Sequence, residues 1–159
     1  MQAIPSPLKC RGYFVTEMMI TANPECDVKQ PSKLDFKDLQ IESSAEVLSA
    51  ESGERLWRVL LQLRQNVGPE KNAAYNFAIV LLGTFEVHPE YPTDKVRKLV
   101  SINGSSILYS AARQMLRDAM HNGPFTALLL PTVSFNESAQ AAAPLEVSEP
   151  KVNYGSAKT

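Results

Sequence analysis

The clearest hydrophobic pattern in the chain is a helical one that covers residues 103–122. Apolar residues recur there at steps of three and four, whereas arginine, glutamine and aspartate fill the other side. Asn103, Ser105 and Ser106 can each cap a helix start, and the Asn-Gly-Pro sequence at residues 122–124 ends the pattern. These signals predict one long amphipathic helix, whose apolar side comprises Ile107, Leu108, Ala111, Met115, Leu116 and Ala119.

A second apolar run follows the helix at residues 128–135, which read Leu-Leu-Leu-Pro-Thr-Val-Ser-Phe. This run is much shorter than the roughly 20 residues of a membrane helix, and its proline disfavours a central position in a sheet. We therefore expect an extended arm that lies on a hydrophobic surface.

Upstream of the helix the period changes to two, which is typical of strands. Residues 57–65 have one apolar and one polar face, so they predict a half-buried strand. Residues 75–87 carry apolar side chains on both faces, which indicates a strand covered on both sides. The loop at residues 66–72 contains glycine and proline and predicts an antiparallel hairpin between these two strands.

Two further strands are predicted before the hairpin. Residues 8–22 form the first, which Asn-Pro at residues 23–24 closes. Within residues 34–49 the apolar phase slips near residues 37–39, as expected of a bulged strand, and a turn at residues 51–54 leads into the hairpin. Four strands followed by one long helix predict an α+β domain with a four-stranded antiparallel sheet that the helix covers on one face.

The second face of the predicted sheet is also apolar. Ala78, Val80 and Leu82 lie on it, where one helix on the first face cannot reach them. We expect the remaining apolar surface to be covered by oligomerisation or used for binding.

Composition and charge argue against several functional classes. The chain has 159 residues with 44% hydrophobic content, enough for one core, and its net charge of -1 gives no electrostatic reason to expect nucleic acid. The longest apolar run, residues 77–82, is too short for membrane insertion, and the N-terminal sequence shows no secretory signal, so a cytoplasmic location is expected. Two cysteines without zinc-ligand spacing and seven scattered glycines suggest neither a metal nor a cofactor.

A small α+β enzyme is the alternative from another functional class. Its candidate acid-base groups are His88 and His121, since no serine or cysteine lies in a recognisable nucleophile setting. His121 precedes Asn-Gly, so it also suits a cation at a helix C-terminus.

Three motifs stand in a fixed order in the second half of the chain. They are Asn-Gly-Ser-Ser-Ile-Leu-Tyr-Ser-Ala-Ala-Arg at residues 103–113, Gly-Pro-Phe at residues 123–125 and Leu-Pro-Thr-Val-Ser-Phe at residues 130–135. In this order they resemble the SecB-type protein-export chaperone family. The resemblance implies a SecB-like chaperone domain at residues 1–136, followed at residues 137–159 by a tail whose composition predicts a flexible segment.

The resemblance also implies an ATP-independent holdase without a cofactor, assembled as a dimer of dimers, that binds unfolded polypeptides in long apolar grooves. Residues 88–102 correspond to a crossover loop at the groove edge, where their composition suits an irregular wall. The client-binding residues would be Tyr91, Leu99, Ile102, Phe125, Val133 and Phe135. The contacts of the homotetramer would be Phe77, Ile79, Leu81, Leu108, Ala112 and Met115.

In export members of the family, one face of the sheet docks to the translocase ATPase SecA. The corresponding face of this chain departs from the family pattern. Glu17 preserves one acidic group, but Thr21, Asn76 and Ala78 stand where acidic or leucine partners are expected. Docking to SecA through Glu17 is therefore an open alternative. SecB-like proteins also serve toxin-antitoxin and phage systems, so the resemblance leaves open both general protein export and a specialised client.

Overall fold

A computed structural model describes residues 3–49 and 55–136. Within these ranges four strands precede two helices, as the predicted α+β class requires. The elements are β1 (Leu8–Ala22), β2 (Leu39–Val47), β3 (Leu56–Gln65), β4 (Tyr75–Val87), α1 (Thr93–Leu99) and α2 (Ser105–His121).

The four strands form one antiparallel sheet in the order β1-β4-β3-β2. The predicted hairpin is present, since β3 pairs with β4 from Leu56 opposite Glu86 to Gln65 opposite Phe77. The first strand in the chain lies beside the last one, and its ladder to β4 shifts between Cys10 and Gly12 and again beyond Val15. Both β1 and β2 are therefore edge strands.

The phase slip near residues 37–39 is a turn and not the predicted bulge. Phe36–Asp38 form one turn of 3-10 helix before β2 begins at Leu39. Asp35 and Asp38 cap this turn reciprocally, and Asp38 also accepts a hydrogen bond from Lys71 Nζ at 3.0 Å. The backbone hydrogen bond from Asp35, together with Lys71, lowers the pKa of Asp38. The turn predicted at residues 51–54 lies outside the described residues.

The core lies between one face of β3 and β4 and the helix α2. Alternating side chains of both strands are almost fully buried there, which confirms the period-two prediction. α2 contributes Leu108, Ala112, Leu116 and Met120 at steps of four, each no more than 1% exposed. Full burial of a large apolar side chain contributes about 1.5–3 kcal/mol, so this layer is the main source of stability.

The buried side of α2 is rotated relative to the predicted stripe. Leu108 and Leu116 are buried as expected, but Ile107 is 37% exposed and Ala119 is exposed. Tyr109, whose hydroxyl makes it amphipathic, is buried instead. A second apolar stripe, Ile107, Ala111 and Met115, is thus left beside the core.

The segment before α2 is more regular than expected. Residues 88–102 do not form an irregular loop throughout, because α1 and one π-helical turn at Val100–Gly104 lead directly into α2. The predicted caps are therefore not used as caps, and Ser106 Oγ instead donates back to the carbonyl oxygen of Ile102 at 2.8 Å. In the described ranges, no helix combines the length and the apolar character that crossing a membrane requires.

Candidate functional site

Residues 125–136, called the arm below, contain no helix or strand and lie against α2. The hydroxyl of Tyr75 donates to the carbonyl oxygen of Phe125 at 2.8 Å and accepts from its N–H at 3.0 Å. Further along, the hydroxyl of Tyr109 donates to the carbonyl oxygen of Pro131 at 2.7 Å. Since α2 runs from Tyr109 towards Phe125, the arm returns antiparallel to the helix.

Two aromatic pairs add to these hydrogen bonds. Tyr75 and Phe125 meet edge to face with centroids 5.9 Å apart, and Tyr109 and Phe135 meet in the same way at 6.0 Å. Leu130 is only 4% exposed and belongs to the core. The prediction that this segment lies on a hydrophobic surface is confirmed.

The backbone of the arm has little internal hydrogen bonding. Among the described residues, no backbone–backbone hydrogen bond involves residues 124–136. Its N–H and C=O groups beyond the two tyrosine contacts can therefore bond to another extended chain, as at an open sheet edge.

A pocket of about 220 Å³ lies between the arm and the helix. Its apolar wall is formed by Leu128, Leu129 and Leu130, and Leu129 is 75% exposed. The opposite wall is polar and belongs to α2. It comprises Ser110, Arg113, Gln114 and Arg117.

Sequence reasoning did not single out the polar wall of this pocket. The helical period placed Arg113 and Arg117 on the solvent side of α2, but it does not reveal that the arm returns along that side. Arg113 also lies over the ring of Tyr109, with its Cζ 5.9 Å from the ring centroid. The leucines were predicted as part of the arm, though not as a pocket wall.

The segment between β4 and α1 is fixed by Arg55. Its Nη1 donates to the carbonyl oxygen of Tyr91 at 2.7 Å, and its Nη2 donates to Thr93 Oγ1 at 3.1 Å. The guanidinium of Arg97 lies 5.5 Å from the ring centroid of Trp57, so α1 is also held to β3. The wall that the sequence predicted at this place is a tethered turn and helix.

The six predicted client-binding residues are all half-buried. They fall into two groups, one before α2 and one on the arm. The first is Tyr91, Leu99 and Ile102, and the second is Phe125, Val133 and Phe135. Within the second group Phe125 and Phe135 pack on the two tyrosines that hold the arm.

Most of the residues predicted at the subunit interface lie in the core of the single chain. Phe77, Ile79 and Leu81 are at most 2% exposed in a single chain, because α2 covers this strand face. Leu108 and Ala112 are buried in the same layer, so these five side chains offer no surface to a second copy. Met115 is half-buried and belongs to the second stripe of α2.

Exposed apolar side chains are concentrated on the edge strand β1. Tyr13 and Met18 share the α2 side of the sheet with their β4 partners and are 42% and 41% exposed. Phe14 and Met19 lie on the second face and are 57% and 55% exposed. On that face Ala78 and Val80 are largely covered by their neighbours, contrary to expectation, and Glu17 is exposed opposite Val80.

The two histidines lie apart from this pocket. His88 is exposed and its Nδ1 accepts from the N–H of Glu90 at 3.3 Å, and His121 is exposed at the end of α2. Within residues 3–49 and 55–136, no group of three or more histidine, cysteine or acidic side chains is arranged to hold a metal ion.

Comparison with known proteins gives consistent matches. The family model described as preprotein translocase subunit SecB matches residues 25–142. A protein-export protein SecB from Sphingopyxis alaskensis is 26% identical over 97 residues, which are 61% of this chain and 56% of that protein. The chain thus spans little more than half the length of this curated relative.

The fold is shared with a solved structure, the SecB-like chaperone of Mycobacterium tuberculosis in complex with a ChAD peptide from the HigA1 antitoxin. The TM-score is 0.57 at 15% sequence identity, and the superposition covers 81% of this chain and 92% of that chain.

Proposed function

Because this chain belongs to the SecB family, we propose that it is an ATP-independent chaperone that holds unfolded polypeptides on the surface formed by α2 and the arm. The observation that carries the proposal is the arm itself. It offers backbone groups that make no backbone–backbone hydrogen bond among the described residues, and they lie next to the exposed Leu129. Both features bind extended chains without demanding one sequence.

The energetics of such binding are favourable for an unfolded client. Main-chain hydrogen bonds give affinity independent of sequence, as in strand addition to a sheet edge. Burial of apolar surface adds about 25 cal/mol per Å². Leu129, Val133 and Phe135 supply adaptable apolar contacts, whereas the tyrosine hydrogen bonds keep the arm in place.

Self-assembly is part of the same proposal. The free edge of β1 carries four exposed apolar side chains, and an edge of this kind pairs readily with another strand. The stripe of Ile107, Ala111 and Met115 gives α2 a second apolar surface. These two surfaces support a dimer of dimers, and of the interface residues that the sequence predicted, Met115 lies on them.

The choice of client has two alternatives. Family membership favours export of precursor proteins, in the cytoplasm, with Glu17 as the exposed acidic contact for SecA. The relative from Mycobacterium tuberculosis was solved with an antitoxin peptide, which favours a specialised client for this chain. A pull-down with SecA separates them, because binding lost in Glu17→Gln supports export and no binding by the wild type argues against it.

The proposal is tested by aggregation and mass measurements on the full chain. We expect it to slow the aggregation of a chemically unfolded protein without ATP, and to show a mass of four times 17.5 kDa, about 70 kDa, in light scattering. A monomer that leaves aggregation unchanged would contradict the proposal. The double variant His88→Ala/His121→Ala should remain active, since loss of activity would favour the acid-base alternative.

A further inference from the structure

The side chain of Arg55 holds both the turn before α1 and the first residue of α1. Its Nη1 donates to the carbonyl oxygen of Tyr91 at 2.7 Å, and its Nη2 donates to Thr93 Oγ1 at 3.1 Å. A charged donor makes such hydrogen bonds stronger than a neutral donor does. The backbone of Arg55 is fixed as well, because its carbonyl oxygen accepts from the N–H of Val87 at 2.8 Å. The turn is therefore tethered directly to the sheet.

A second contact runs beside this tether. Side chains two residues apart in an extended segment point to the same face, so Trp57 stands next to Arg55. The guanidinium of Arg97 lies 5.5 Å from the ring centroid of Trp57. Thr93 and Arg97 are four residues apart on α1, hence on one side of it, and Val96 beside them is 2% exposed. α1 thus lies along the start of β3.

Tyr91 is the aromatic side chain that this arrangement presents. Its N–H donates to the carbonyl oxygen of His88 at 3.0 Å, its own carbonyl oxygen accepts from Arg55, and the proline that follows restricts its backbone further. The ring is half-buried, and within the described residues its hydroxyl forms no hydrogen bond, unlike those of the two tyrosines that hold the arm. An aromatic ring on an ordered backbone offers a large contact area at a low cost in conformational entropy.

The arm leads towards this part of the chain. Phe125 follows the end of α2, whereas Phe135 packs on Tyr109, close to the start of α2. α1 joins the same end of α2 through the π-helical turn at Val100–Gly104. A client that lies along the arm from Phe125 to Phe135 is therefore led to the end of α2 that α1 joins.

We infer that Arg55 is a positioning residue for client binding, which holds Tyr91 as an aromatic contact for an apolar side chain of an extended client. The inference rests on the proposed function and adds a contact beyond α2 and the arm. Arg55 acts through Tyr91 and does not touch the client. Because the tether orders the turn before a client arrives, the entropy of ordering it is not lost on binding.

The test is a double-mutant cycle on the full chain. The probe is an unstructured peptide of leucine, phenylalanine and serine, whose binding is measured by fluorescence anisotropy. Arg55→Met removes the tether and keeps a long side chain, and we expect it to weaken binding about fivefold, as the loss of one ordered side chain does. In the Tyr91→Ala background the same change should weaken binding less than about twofold, because the ring that Arg55 positions is absent.

Three further variants sharpen the cycle. Thr93→Val removes one of the two hydrogen bonds, so it should weaken binding less than Arg55→Met and show the same dependence on Tyr91. Arg55→Lys keeps the charge and one donor group, and it should restore part of the affinity. Arg58→Met is the matched control, because Arg58 lies on the second face of the same strand, where it pairs with Glu46. It should bind the peptide as the wild type does.

The outcomes separate this inference from the proposed function. A wild type that does not bind the peptide contradicts the proposed function. If the wild type binds and Arg55→Met binds equally well, only the inference is overturned. It is also overturned if Arg55→Met weakens binding equally with and without the Tyr91 ring, or if Arg58→Met weakens it as much. Should Arg55→Met fail to fold, Thr93→Val decides, since unchanged binding in that variant overturns the inference.

Discussion

Tyr75 and Phe125 are joined by two hydrogen bonds, since one phenolic hydroxyl donates to the carbonyl oxygen and accepts from the N–H of the same residue, at 2.8 and 3.0 Å. This contact closes the turn between α2 and the arm. It lets a side chain of β4 determine where the arm begins.

Removal of this hydroxyl should loosen the arm. In Tyr75→Phe both backbone groups of Phe125 lose their partner, so we expect a loss of about 1–3 kcal/mol in the free energy of unfolding. Hydrogen exchange should also speed up in residues 125–135. Tyr13→Phe, at an exposed position on β1, should leave both measurements unchanged.

The hydroxyl of Tyr109 should make stability depend on alkaline pH. Burial raises the pKa of Tyr109 above its ordinary value of 10.0, although the charge of Arg113 opposes the shift. A raised folded-state pKa favours the protonated form in the fold, so its contribution is complete below about pH 10 and is lost as pH rises through the folded pKa. Urea unfolding between about pH 8 and 11 should show a steeper decline for the wild type than for Tyr109→Phe. Parallel curves would contradict this role of the hydroxyl.

The crossing of α2 over β4 should not tolerate a methyl group at Gly83. A Cβ there would lie 2.8 Å from both Leu108 Cδ2 and Phe85 Cε2. We expect Gly83→Ala to cost about 1–3 kcal/mol through overpacking, measured by chemical denaturation. Gly12→Ala is the control, because its Cβ would meet no atom within 4 Å. Equal stability of the two variants would show that the layer can relax.

The exposed leucine of the arm should contribute to client affinity without contributing to stability. Leu129→Ser removes apolar contact surface worth about 1 kcal/mol, so unfolded clients should bind about fivefold more weakly, with an unchanged melting temperature. Val28 is also 75% exposed but lies in the loop after β1, so Val28→Ser serves as the control. If both variants weaken binding equally, the arm is not the binding surface.

The edge of β1 should control assembly. In Phe14→Lys/Met18→Lys the added charges oppose strand pairing on both faces of the edge, so the mass in light scattering should fall from about 70 kDa towards 17.5 kDa. Phe36→Lys is the matched control, since Phe36 is 58% exposed on the 3-10 turn. An unchanged mass would exclude this edge from the interface.

The local pattern of apolar residues was sufficient to predict the strands. It was not sufficient to predict which side of α2 is buried. The bounds of β1 agree with the residues 8–22 that the sequence predicted, because apolar alternation and Asn-Pro mark its extent. On α2, however, Ile107, Ala111 and Met115 form a stripe as apolar as the buried one. Only packing against β3 and β4 determines which of the two stripes is buried. The same packing also buries the amphipathic Tyr109.

The pocket depends on contacts that are distant in the sequence. Arg113 and the leucines are separated by the end of α2 and the turn at Phe125, and their approach follows from the hydrogen bond of Tyr109 to Pro131. Neither the helical period nor the composition predicts that the arm returns along α2. The pairing of β1 with β4 cannot be predicted from the sequence pattern either, since it joins the two strands that lie furthest apart in the chain.

This pairing has a consequence for synthesis of the protein. β1 is the longest strand, and its partner at residues 75–87 leaves the ribosome some sixty residues later, a separation that slows sheet formation. Until then Phe14, Met18 and Met19 belong to a strand with no neighbour. During synthesis, each new copy of this proposed chaperone therefore exposes an extended apolar segment. This is the kind of chain that mature copies are proposed to hold.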